Sequence, residues 1–130
     1  MRTNWEIREE IEKAFGEYLG KAQLKKLPAR LYVEAWLDEK KEFGPWGEAG
    51  VGEDEDDGPE YFVRISLNKM VKEPEEIEET VAHEMAHLVS YERGGAGHDR
   101  LWATTLKGWG FEPKVRKALD LRAIQVWARK

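Results

Sequence analysis

His83-Glu84-Met85-Ala86-His87 is the stretch that decides how this chain reads, and its other histidine, His98, follows closely. Two histidines four apart on a helix lie one turn apart on the same face. Both imidazoles can then reach one metal ion. A catalytic zinc site takes three protein ligands and keeps a fourth position for water, and His83, His87 and His98 would supply the three. Glu84, beside the first ligand, is placed to accept a proton from the attacking water.

The flanking residues favour a helix. Pro74 suits a first turn, where a missing N–H costs nothing. Glu73, Glu75, Glu76, Glu78 and Glu79 put negative charge at the positive end of the helix dipole. Gly94 and Gly95 offer the stop. Ile77, Val81, Met85, Leu88 and Val89 recur at helical spacing as one apolar stripe. His83 and His87 lie roughly 150° from the centre of that stripe, at about 100° per residue. They therefore point away from it, as core histidines would not. A solvent-facing histidine pair is the alternative, and the pentapeptide, the helix and the extra histidine together weigh against it.

The third ligand needs its own argument. The metzincin spacing would put glycine and histidine where Ser90 and Arg93 stand, so that pattern is excluded. His98 instead follows the turn Gly94-Gly95-Ala96-Gly97 and opens a short predicted helix, Asp99 to Leu106, that ends near Gly108. Folding back at the turn would bring His98 to the metal. Glu92 and Asp99 are the alternative third ligands.

His-Glu-Met-Ala-His, then Gly97-His98-Asp99-Arg100-Leu101-Trp102, then Gly108-Trp109-Gly110-Phe111-Glu112-Pro113, resembles the SprT-like metallopeptidases, which include the Spartan proteases. Ile65-Ser66-Leu67-Asn68 is similar to the strand leading toward that family's active-site helix. The resemblance runs from about Leu31 to Pro113. It implies an α+β, zincin-like domain whose motif-bearing helix packs on a small sheet. It also implies His83, His87 and His98 as zinc ligands and Glu84 as the catalytic acid/base. Spartan-type members cut proteins crosslinked to DNA. This chain has no cysteine, so it lacks the cysteine-ligated zinc subdomain of many larger members. That makes a DNA-repair role less secure than the peptidase fold.

A chain of 130 residues fits one domain spanning 1–130 with one substantial core. Absent cysteine excludes disulfides and cysteine catalysis. Met1 to Leu19 has no continuous apolar segment, so neither a signal peptide nor a membrane span is expected, and cytoplasmic residence is the default. The net charge of −5 is uneven. Glu53, Asp54, Glu55, Asp56, Asp57 and Glu60 carry six negative charges, and the remainder carries +1. Basic clusters at Lys21, Lys25, Lys26 and Arg30, and at Lys114, Arg116 and Lys117, make DNA a candidate partner through its phosphates. Solvated surface charge is the plainer reading.

Thr3 and Glu6 have capping-box spacing before a predicted helix, with Ile7, Ile11, Ala14, Phe15 and Tyr18 as its buried face and Gly20 as its end. Leu31, Val33, Ala35 and Leu37 alternate with Tyr32, Glu34 and Trp36 as in a strand, and Tyr61 to Leu67 does the same. Between them, Gly44 to Glu60 reads as an acidic, mobile connection, solvated or overhanging the cleft. Trp5, Trp36 and Trp102 read as packing residues, and Trp46, in a Gly-Pro-Trp-Gly turn, as the exposed one. Val115, Ala118 and Leu119 suit a helix, and Leu121 to Trp127 continues it or forms a tail. Tyr91 and Arg93 are candidate oxyanion donors. The sequence thus points to a zinc metalloendopeptidase acting on protein or peptide. The alternative is a non-catalytic, zinc-containing protein- or DNA-binding module, which would have no need of Glu84.

Overall fold

The computed structural model describes residues 2–34, 46–54, 56 and 58–113. The elements follow in the order α1 (Asn4–Ala22), β1 (Ala29–Glu34), β2 (Gly47–Asp54), β3 (Gly58–Ser66), α2 (Leu67–Lys72), a 3-10 turn (Pro74–Glu76), α3 (Ile77–Glu92) and α4 (Arg100–Gly108). This is a small α+β arrangement with one three-stranded sheet.

The expected capping box starts α1. Thr3 Oγ1 accepts from the Glu6 N–H at 3.1 Å, and the Thr3 N–H donates to the Glu6 carboxylate at 3.1 Å. Ile7, Ile11, Ala14, Tyr18 and Ala22 form its buried side. The helix runs past Gly20, and Gln23 ends it in the left-handed region at φ 51°. Trp5 stands away from the core, 69% exposed, and does not pack as expected. It lies two residues from Ile7, on another side of the helix.

The two strands read from alternation are neighbours, and they run parallel. Leu31 pairs with Val63 and Val33 with Ile65. The odd-numbered residues Tyr61, Val63 and Ile65 enter the core. Ala35, Trp36 and Leu37, the rest of the first expected strand, lie outside the described residues. The strand order is β1-β3-β2. The acidic connection expected over 44–60 is therefore largely sheet: β2 pairs antiparallel with β3, from Gly47 opposite Ile65 to Asp54 opposite Gly58. Glycines and acids are poor strand formers alone, and here the pairing partner decides. Trp46, expected to be exposed, packs against the core instead. Ser66 then caps α2, its Oγ accepting from the Lys69 N–H at 3.3 Å, so Leu67 starts a helix rather than ending a strand.

α3 is the centre of the molecule. It packs on α1, α4, β2 and β3. Its apolar stripe is buried as expected, but so is every other residue from Thr80 to Ser90. The face turned away from the stripe is not wet, because β2 and α4 cover it. α4 covers it because the chain reverses at Gly94 (φ 91°) and Gly97 (φ 60°), where glycine tolerates left-handed backbone. Among the described residues, no helix is long and apolar enough to cross a membrane.

Candidate metal centre

Successive turns of α3 place His83 and His87 side by side, with ring centroids 5.0 Å apart. His98, at the entry to α4, folds back onto both. Its ring centroid lies 5.1 Å from that of His83 and 4.7 Å from that of His87. One ring nitrogen from each of the three lies within 4.8 Å of the others, so the three histidines can hold a metal ion. The fit can be tested on a distance. His83 Nε2 and His98 Nε2 are 3.2 Å apart. Two nitrogens bound tetrahedrally at about 2.0–2.1 Å from one ion stand roughly 3.3 Å apart. Imidazole nitrogens are also donors that zinc, copper, iron and nickel accept. His83 and His87 are buried, at 4% and 1% exposure, while His98 is half-buried at the cluster's outer side.

Glu84 follows His83 on α3 and is 3% exposed. β2 passes directly over it. A Cβ on Gly47 would stand 2.9 Å from Glu84 Cγ and 3.1 Å from the Arg64 carbonyl oxygen, so only glycine lets the strand lie this close. Gly47 was not legible as a site residue, because its partner is remote in sequence.

The two acids weighed against His98 are engaged elsewhere. The Glu92 carboxylate accepts from the Lys25 N–H at 2.9 Å, the Lys26 N–H at 2.7 Å and the Tyr61 hydroxyl at 3.1 Å. Burial raises its pKa, but these three bonds and nearby Lys26 outweigh that and hold it below its ordinary value. The same contact works on Tyr61 in the other direction: burial first, then the bond to Glu92, push its hydroxyl pKa up.

Asp99 caps α4 and fixes the turn that presents His98. It accepts from the Trp102 N–H at 2.9 Å, the Ser90 hydroxyl at 2.7 Å and the Ala96 N–H at 2.9 Å. Burial raises the Asp99 pKa and these bonds bring it below the usual carboxylate range. A Cβ on Gly95 would collide with Ser90 Oγ and the Asp99 carboxylate, so this clasp also needs glycine.

Arg93, one expected oxyanion donor, caps α3 about 9 Å along the axis beyond His87 at 1.5 Å per residue, and it is exposed. Tyr91 packs at the edge of the core. Of the first basic cluster, Lys21 pairs with Glu17 at 3.6 Å and Arg30 with Glu60 at 3.2 Å. The second, Lys114, Arg116 and Lys117, and the expected helix and tail beyond it, lie outside the described residues.

No curated protein and no solved structure gives a significant match to this chain. The SprT-like family model matches residues 2–117, which is most of the chain and includes every element described above; the chain belongs to the SprT-like family.

Proposed function

We propose that the protein is a zinc-dependent endopeptidase of zincin-like fold, with His83, His87 and His98 as metal ligands and Glu84 as general base and acid. The observation that carries this reading is the convergence of the three imidazoles at ligand spacing beside a buried glutamate. When bound, zinc would make a water acidic enough to attack near neutral pH and would offset charge on the substrate oxygen. Glu84 takes the proton of the attacking water and returns it to the leaving amine. Buried beneath β2, that carboxylate is kept from bulk water, which favours proton transfer over exchange with solvent.

β2 is one of the two edge strands of the sheet among the described residues, and it runs over Glu84. An extended polypeptide adding to it would bring a backbone carbonyl toward the imidazoles. A protein or peptide is therefore the substrate class we favour. Proteins on DNA are a narrower version, supported by the family and by the cluster at Lys21, Lys25 and Lys26. The ion pairs of Lys21 and Arg30 weaken that support. A non-catalytic zinc module has the burden of Glu84: a structural site gains nothing from a buried carboxylate in that position.

The test is metal analysis of the purified chain, followed by cleavage of an unfolded protein with and without single-stranded DNA. About one zinc per chain is expected. Glu84→Gln keeps the size of the side chain and removes the base. At matched zinc content its rate should fall by at least about 10²-fold, the lower range of general acid–base assistance. Parental turnover in that variant would rule out the assigned role of Glu84. A zinc-loaded parent that cuts nothing would leave the binding module as the better reading.

A further inference from the structure

Trp102 lies against all three imidazoles at once. Its ring stacks on His87, at 5.6 Å between centroids and 19° between planes. It meets His83 at 4.9 Å and His98 at 4.5 Å, each nearly edge-on at 73°. The indole N–H donates to the His83 backbone carbonyl at 3.3 Å. The residue is 3% exposed. Its backbone is fixed as well, because its N–H is held by Asp99, which Ser90 ties to α3.

A core tryptophan that only fills volume has no reason to touch three candidate ligands, two on α3 and one in the turn that enters α4, while bonding to the backbone of one of them. Each contact also has a mechanical effect. An imidazole can turn about its Cβ–Cγ bond, and turning swings its nitrogens off the metal. With the indole against it, each ring that turns must displace a large, buried and anchored neighbour. Surroundings that fix ligand orientation raise metal affinity, and their loss typically costs about 10–100-fold.

We propose that Trp102 is a positioning residue for the metal: its indole holds the three imidazoles in ligand geometry before the ion arrives and so sets the affinity of the site. This rests on the metal-site reading above. It also makes Trp102 a built-in reporter, since a paramagnetic ion bound by these imidazoles would lie within a few ångströms of the indole and quench its emission.

The experiment uses the full chain, stripped of metal, as the parent, Trp102→Leu and Trp102→Phe. Three quantities are read: zinc affinity by competition with a chromophoric chelator, the visible spectrum of the Co2+ form, and quenching of tryptophan emission by Co2+. Trp102→Leu, with parental far-ultraviolet circular dichroism, should bind zinc at least about tenfold more weakly and show a changed Co2+ spectrum, whereas Trp102→Phe, which keeps a ring, should stay within about threefold of the parent. Most of the Co2+ quenching should disappear in Trp102→Phe. A folded Trp102→Leu with parental zinc affinity overturns the proposal. If Trp102→Leu does not fold, the quenching decides, and undiminished quenching in Trp102→Phe overturns it. A parent that binds no metal sinks the metal-site reading itself, which the affinity measurement separates from a failure specific to Trp102.

Discussion

Gly47 shows how one missing side chain can govern a site. Any substituent there must displace either Glu84 or the backbone of β3, both held in a packed interior. Gly47→Ala should therefore disturb the carboxylate without touching a metal ligand. Overpacking of this kind costs about 1–3 kcal/mol of stability. Under the proposed function, the displaced carboxylate should also lower turnover roughly tenfold or more, while zinc content stays at the parental level. Equal turnover at equal zinc content would remove Gly47 from the argument. His83 and His87 were legible in the sequence because helical periodicity alone puts i and i+4 on one face. His98 was legible only through its glycine turn and a family resemblance. Gly47 carried no local signal, because the reason for it lies on another element.

Between elements, Glu92 does the joining. It ends α3 and holds two N–H groups of the α1–β1 connection together with the hydroxyl of Tyr61 on β3. Its pKa is lower in the folded than in the unfolded chain, so the unfolded state binds more protons as the pH falls. The stabilisation is thus fully present above the ordinary glutamate pKa and is lost as pH drops through the depressed folded value. Glu92→Gln should cost on the order of 1 kcal/mol at pH 7, a charged hydrogen-bond contribution discounted for its partial exposure. Chemical denaturation of parent and variant from pH 7 down to pH 3 should show the difference shrinking toward acid. A gap that is constant across that range would contradict the linkage. The sequence offered Glu92 only as an alternative to His98, an acid close after the motif. Only the packing of the α1–β1 connection and β3 shows its carboxylate already engaged. β2 was missed for a related reason: a run of glycine and acid has the composition of a loop, and its strand character comes from lying against β3.

For the molecule as a whole, α3 is both spine and workbench. Metal bound only by the folded chain adds to stability by mass action, about 2.7 kcal/mol at a free zinc concentration of 100 times Kd. In a domain of this size that should raise the melting temperature by roughly 10 °C relative to protein in EDTA, as read by calorimetry. Identical melting in zinc and EDTA would mean that the cluster does not load. The fold class and the central helix could be read from the chain because the motif and its apolar stripe share one long periodic segment. The dryness of the opposite face could not, since it depends on β2 and on the return of α4. That dryness has a consequence for stability. Glu84 is 3% exposed, where a leucine of similar bulk would be the easier occupant unless the carboxylate's own contacts offset the cost of burying it. Glu84→Leu should melt above the metal-free parent, and a lower melting point would show that the carboxylate helps hold the fold. If the expected result holds, the carboxylate that the proposed function needs is carried at the expense of the fold, and its loss would leave a sturdier but inert chain.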